Sequence, residues 1–247
     1  MGKCSYMDSR TSVIEKRISS IKRIISVASG KGGVGKSLVA SSLSLILSKK
    51  GYKVGLLDLD LYGPSSHIIL GVENYDFPKE EKGIIPPKIN GINFMSIVYY
   101  TEDKPAPFRG FDITNIIIEL LAIIQWGELD YLIIDMPPGL GEETLDIVRL
   151  IKKNEFLVVT TSSKVSMGTV NKLLSFLREL KIPILGVIEN MKILDSNYIE
   201  NSVSKMKIRY LGNISFDKNL EKSIGSTDML QRTDFMKELE NVLSKIF

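Results

Sequence analysis

Apolar residues in this chain fall into two kinds of segment that alternate. Short runs rich in β-branched residues, Ile24 to Ala28, Val54 to Leu59, Ile92 to Val98, Tyr131 to Asp135, Phe156 to Thr160 and Ile184 to Ile188, are almost continuously apolar. Longer segments with apolar residues three and four apart stand between most of them: Leu38 to Lys49, Ile113 to Trp126, Glu142 to Ile151 and Met167 to Leu180. The first kind predicts strands buried on both faces, the second amphipathic helices. Their alternation predicts βαβ units and an α/β fold: a doubly wound, mainly parallel sheet with helices on both faces.

The ends of the chain read differently. Residues 1 to 22 are polar and charged, with a short helix expected around Val13 to Ile21, and are taken as an N-terminal extension before one domain spanning 23 to 247. The stretch Glu73 to Gly91 carries Pro78, Pro86 and Pro87 among mixed charges and predicts a surface insertion. Near the C-terminus Phe235, Leu239, Val242, Leu243 and Ile246 form one helical stripe. Such a stripe packs on a sheet or lies in a membrane surface. Glu238 and Glu240 beside Lys237 and Lys245 remove the basic bias that anionic lipid requires, which favours packing.

Composition adds exclusions more than assignments. With 247 residues, 44% hydrophobic and 25% charged, the chain can build one core, and a net charge of +3 from 32 basic and 29 acidic side chains does not argue for nucleic acid. The small groups Lys49, Lys50, Lys53 and Lys205, Lys207, Arg209 read as solvated faces. Cys4 is the one cysteine and no apolar leader follows it, so a cytoplasmic protein without disulfides is expected. The longest apolar stretch, Ile116 to Ile124, contains Glu119 and is far too short to span a bilayer. His67 is the sole histidine and is assigned no role.

The chemistry concentrates after the first predicted strand. Gly30-Lys31-Gly32-Gly33-Val34-Gly35-Lys36-Ser37 fits G-x-x-x-x-G-K-[ST] between a strand and a helix, the context a phosphate loop requires. A triphosphate needs backbone N–H groups converging on its oxygens; a glycine-rich turn exposes them and the following helix adds its dipole. Gly30 through Leu38 are therefore the expected ATP-binding residues, with Lys36 on the β- and γ-phosphates and the Ser37 hydroxyl on Mg²⁺. Asp135, ending an apolar strand, is a second Mg²⁺ candidate. Asp60 stands where it can orient or deprotonate the attacking water. Asp58 either meets the nucleotide or bonds neighbouring loop amides. Asn190, with a donor and an acceptor, suits an adenine edge or closes a turn.

Lys31, the second residue of the loop, marks a deviant Walker A sequence. With it, Asp58-Leu59-Asp60-Leu61-Tyr62-Gly63-Pro64-Ser65, the block around Arg109-Gly110 and Trp126 to Tyr131, Leu132 to Gly139 and Gly186 to Met191, the chain resembles the MinD/ParA class of P-loop ATPases, and within it the Mrp-type iron–sulfur cluster carriers. The resemblance covers roughly residues 22 to 230. It implies an ATP-hydrolysing homodimer with switch I at Asp58 to Ser65, Walker B and switch II at Leu132 to Gly139, and Lys31 reaching the partner's nucleotide. It also implies iron–sulfur assembly or client proteins as partners; a positioning or partitioning switch is the alternative.

Departures from the pattern fall near the end. The carriers usually place Cys-x-x-Cys soon after Glu-Asn-Met, and two subunits together supply four thiolates; Lys192 to Leu211 holds no cysteine, so the usual cluster site is missing here. Leu140-Gly141-Glu142 stands in place of Thr-Gly-Asp, and Thr160 to Ser163 in place of Thr-Thr-Pro-Gln.

Overall fold

The computed structural model describes residues 10–104 and 110–247, without the side chains of 110–112. Among the described residues the order is α1 (Arg10–Ile18), β1 (Ile21–Ser29), α2 (Lys36–Lys49), β2 (Val54–Asp58), α3 (Ser66–Leu70), β3 (Lys88–Ile89), β4 (Ile92–Ser96), α4 (Val98–Thr101) and α5 (Gly110–Ile123). There follow β5 (Leu129–Asp135), α6 (Glu142–Leu150), β6 (Asn154–Thr160), α7 (Lys164–Glu179), β7 (Ile184–Lys192), α8 (Tyr198–Lys205), β8 (Tyr210–Ser215), α9 (Thr227–Leu230) and α10 (Asp234–Leu243). The strands form an eight-stranded sheet in the order β3-β4-β2-β5-β1-β6-β7-β8, parallel except for the β3–β4 pair.

The doubly wound α/β prediction holds, and its physical basis is visible in burial. Every residue of β2 is buried, as are the last four of β5 and the last five of β6, which is why these runs lack polar alternation. α2 packs on β1, β2 and β5, whereas α1, α5 and α6 pack together. Because the chain leaves β1 toward β2 on one side and later toward β6, β7 and β8 on the other, the C-terminal end of β1 lies at a topological switch point. Open α/β sheets bind ligands there.

Several boundaries differ from the sequence expectation. β1 starts at Ile21, inside the segment read as an extension, because Lys22 and Arg23 point to acids on β5 and β6: Lys22 Nζ is 2.7 Å from Asp130 and Arg23 Nε is 2.8 Å from Glu155. The helix expected at Val13 to Ile21 occupies Arg10–Ile18, with Ile14 and Ile18 buried and the helix in contact with α5 and α6. Cys4 and Arg109 lie outside the described residues. The C-terminal stripe is core: Phe235, Leu239, Val242 and Leu243 are buried and α10 contacts β8 and α2. That leaves the membrane-surface reading without a free apolar face. No helix among the described residues is long and apolar enough to cross a membrane.

Candidate functional site

The turn between β1 and α2 carries the phosphate-loop sequence at the switch point. Two glycines are fixed there by close approach. A Cβ on Gly30 would lie 2.6 Å from the Val170 backbone nitrogen of α7, and one on Gly35, whose φ is +80°, would lie 2.3 Å from the Asn190 side chain. The loop is thus held from below by α7 and the end of β7. Asn190 is buried and its Nδ2 donates to the Val34 carbonyl at 2.9 Å, a support role that the sequence reading did not include.

Lys36 is 6% exposed, and its ammonium forms an ion pair with Oδ1 of Asp135, which is fully buried. The same Nζ lies 3.2 Å from the Ser37 hydroxyl. Oδ2 of Asp135 accepts from Ser66 Oγ at 3.1 Å. Lys36, Ser37 and Asp135, predicted separately, therefore converge; Ser66 joins them, and no spacing in the sequence marked it.

Asp58 is also fully buried and stands in register beside Asp135 on the neighbouring strand. Its Oδ1 accepts the Asp60 N–H at 3.0 Å, and its Oδ2 accepts those of Ser65 and Ser66 at 3.2 Å each. Of its two readings the loop-amide one is realised: the carboxylate ties switch I to the sheet and caps the start of α3. Burial, and then the Asp135 charge, push the Asp58 carboxyl up to about 8, against the pull of Lys36 and the backbone amides. At neutral pH Asp58 therefore mostly keeps its proton, and the buried Lys36 ammonium is balanced by the Asp135 carboxylate.

Lys31, Gly32, Gly33, Gly35, Lys36, Ser37, Leu38 and Asp60 all line one cleft of about 320 Å³. Asp60 Oδ1 accepts from Gly63 N at 3.0 Å, closing the switch I turn, and Pro138 of the β5–α6 connection forms part of the opposite wall. Lys31 is half-buried and makes no ion pair among the described residues. Switch II departs from the family pattern without losing its helix start: Gly141 precedes α6, and Glu142 and Glu143 occupy its first turn, where negative charge is favourable. The Ser37 hydroxyl and Asp135 carboxylate are hard oxygen donors adjoining one ammonium, a donor set whose chemistry fits Mg²⁺.

The segment where the carriers hold a cluster is built otherwise. Lys192 to Leu211 forms a loop, α8 and the start of β8, with Ile193 and Leu194 75% and 72% exposed. No group of three or more His, Cys, Asp or Glu side chains among the described residues is arranged to hold a metal ion. Behind it, buried Glu189 accepts from Ser162 Oγ and Tyr210 Oη, each at 2.8 Å, joining the ends of β6, β7 and β8. His67 is buried, with Nε2 3.4 Å from Asp103 Oδ1 and its ring edge-on to Tyr75.

A family model described as ParA, the NUBPL iron-transfer P-loop NTPase, matches residues 20–247. The iron-sulfur cluster carrier protein of Aquifex aeolicus is 42% identical over 179 residues, 71% of this chain and 49% of that protein. This chain thus spans about half the length of that relative. The cytosolic Fe-S cluster assembly factor NUBP2 homolog of Dictyostelium discoideum is 40% identical over 220 residues, covering 81% of this chain and 83% of that protein. A nucleotide-binding protein of Archaeoglobus fulgidus, solved in complex with ADP, superposes with a TM-score of 0.77 at 30% identity, over 92% of this chain and 96% of its own.

Proposed function

Because the chain belongs to the ParA/NUBPL iron-transfer P-loop NTPase family, we propose that it binds and slowly hydrolyses Mg-ATP as a homodimer serving iron–sulfur cluster assembly or transfer in the cytoplasm. The observation that carries the nucleotide part is the buried convergence of Lys36, Ser37 and Asp135 beneath a glycine loop at the switch point. The names and extents of the relatives carry the iron–sulfur part.

On this reading the loop amides from Gly30 to Leu38 take the phosphate oxygens, and Lys36 leaves Asp135 for the β- and γ-phosphates. Ser37 and Asp135 then hold Mg²⁺, which neutralises phosphate charge when bound. Asp60, at the cleft wall, orients the attacking water. Lys31, half-buried and without an ion pair among the described residues, crosses to the nucleotide of a second copy, so hydrolysis waits on dimerisation. Asn190 keeps the loop in place through Val34 and has one further N–H for an adenine edge.

The iron–sulfur cluster is cargo in this scheme, and its ligands do not come from Lys192 to Leu211. A [4Fe–4S] cluster normally takes four thiolates, and Cys4 from two copies supplies two. The chain therefore acts on a cluster held mainly by its client or assembly partner. Particle size with ATP and with ADP, measured beside iron and sulfide content after anaerobic reconstitution, tests this. Larger particles with ATP and no cluster on the protein alone are expected. Identical size in both nucleotides would remove the homodimer, and four iron atoms per dimer without a partner would contradict the cargo assignment.

A further inference from the structure

Helix α1, the turn closed by the Glu80–Ile84 bridge and residues 125–127 enclose a second cleft, of about 730 Å³. It lies at the N-terminal ends of β1 and β5, whereas the phosphate loop follows the C-terminal end of β1. Nine strand residues, roughly 30 Å of extended chain, separate the two.

Its lining is one-sided in charge. Lys16, Arg17 and Lys82 contribute cations, and among the described residues no Asp or Glu contributes a counter-charge. Some surface cations elsewhere are paired, as in Lys22–Asp130, Lys152–Glu15 and Lys237–Asp234. Lys16 and Lys82 form no ion pair among the described residues. The Arg17 guanidinium is fixed by donation to Ala122 O at 3.1 Å and Lys82 O at 2.9 Å, which binds α1 to the last turn of α5 and to the hairpin. Two of its five N–H groups are thereby used.

The rest of the lining is apolar. Val13, 42% exposed, and Trp126 contribute to it. Trp126 is 3% exposed, and its Nε1 has no hydrogen-bond partner among the described residues. Three cations without an acidic partner among the described residues, beside a partly exposed valine, describe a site short of acceptors and of apolar cover. Its volume suits a drug-sized ligand or a few residues of peptide.

We propose that this cleft binds an acidic peptide segment of a partner protein, its carboxylates meeting Lys16, Lys82 and Arg17 and an apolar side chain covering Val13 beside Trp126. A nucleotide is a poorer match, because among the described residues the lining has neither a glycine-rich turn at a helix start nor a carboxylate to hold Mg²⁺. The dispersed cations suit carboxylates spaced along a chain better than adjacent phosphates. α1 gains a role from this: with the hairpin it forms one wall of a docking site.

The full chain supplies its own reporter, since Trp126 is the single tryptophan. A fluorescein-labelled, N-acetylated Glu-Leu-Glu-Asp-Leu-Glu peptide is titrated by anisotropy, and the unlabelled peptide is followed by Trp126 emission. Saturable binding with a matching emission change is expected, weakening severalfold as salt is raised. In Lys16→Glu/Lys82→Glu the affinity should fall about tenfold or more, as two attractions become repulsions, while Mg-ATP affinity stays unchanged. Absence of saturable binding overturns the proposal, as does equal affinity in the double variant. Equal competition by inorganic phosphate or by a Glu-only peptide also overturns it, because the cleft would then be an unspecific anion patch. Mg-ATP titration of the same samples separates any of these failures from a failure of the nucleotide site.

Discussion

The phosphate loop and the segment from Lys192 to Leu211 adjoin the C-terminal edge of the same sheet, yet only the first is built for its family's chemistry. In the loop, Gly30 packs on α7, Val34 is held by Asn190, and Lys36 is buried against Asp135. In the second segment Ile193 and Leu194 project into solvent and no cysteine stands among them. The contrast separates two functions that the family name joins. Gripping a nucleotide requires a preformed cradle, which is present; ligating a cluster requires thiolates, which this segment lacks. A chain can keep the first and leave the second to a partner.

The contrast is broken most directly at Lys36. Lys36→Ala should weaken Mg-ATP binding by at least about 100-fold, since it removes charge-assisted bonds of roughly 1.5–3 kcal/mol each. It should also lower thermal stability by stranding the buried Asp135 carboxylate. Calorimetric titration of a variant confirmed as folded by circular dichroism checks both; near wild-type affinity would refute the assigned role. Lys31→Ala should lower turnover by about 100-fold, the scale for removing one preorganised donor, with ATP affinity little changed. A loss confined to binding would place Lys31 on its own nucleotide instead of a partner's.

Asp58 gives the loop side a pH signature. Its carboxyl sits at about 8 in the fold against 3.8 for an aspartate in the unfolded chain. Between those values the folded protein retains a proton that the unfolded chain releases, so the contribution of Asp58 to the stability of the nucleotide-free protein is fully present below the lower value. That contribution then falls as pH rises toward 8 and is lost above it. Melting curves across this range should decline less steeply in Asp58→Asn; parallel curves would remove Asp58 as the cause. Asn190→Ala should weaken Mg-ATP binding by roughly fivefold, about 1 kcal/mol for one lost support of the loop. Unchanged affinity would show that Val34 needs no pin. On the other side of the comparison, Ile193→Ser/Leu194→Ser should alter stability by no more than about 0.5 kcal/mol and leave Mg-ATP affinity unchanged. A large loss in either would mean that this segment supports the nucleotide site.

What the sequence conveyed followed from how strongly each residue type is restricted. The glycine turn with two lysines and a serine has one common structural use, and the central strands, buried on both faces, read as unbroken apolar runs. β8 escaped notice because Tyr210–Ser215 lies at the sheet edge, with exposed Asn213 and Ser215 interrupting the apolar pattern. β1 looked shorter than it is because Lys22 and Arg23 find acids on adjacent strands, a pairing visible only in three dimensions. The same holds in the site. Lys36, Ser37 and Asp135 were legible from local context, whereas the Ser66 bond to Asp135 and the Asn190 bond to Val34 depend on contacts 69 and 156 residues apart in the chain. Asp58 was left between two roles because a strand-end carboxylate serves either, and the positions of three backbone amides decided it.

The central claim is that this loop, with Lys36, Ser37 and Asp135, holds a magnesium-bound triphosphate. Isothermal titration of the full chain with ATP, with and without Mg²⁺, tests it in one experiment. A single saturable site per chain that tightens when Mg²⁺ is added is the predicted result. No detectable heat in either titration, or an affinity indifferent to Mg²⁺, would contradict it.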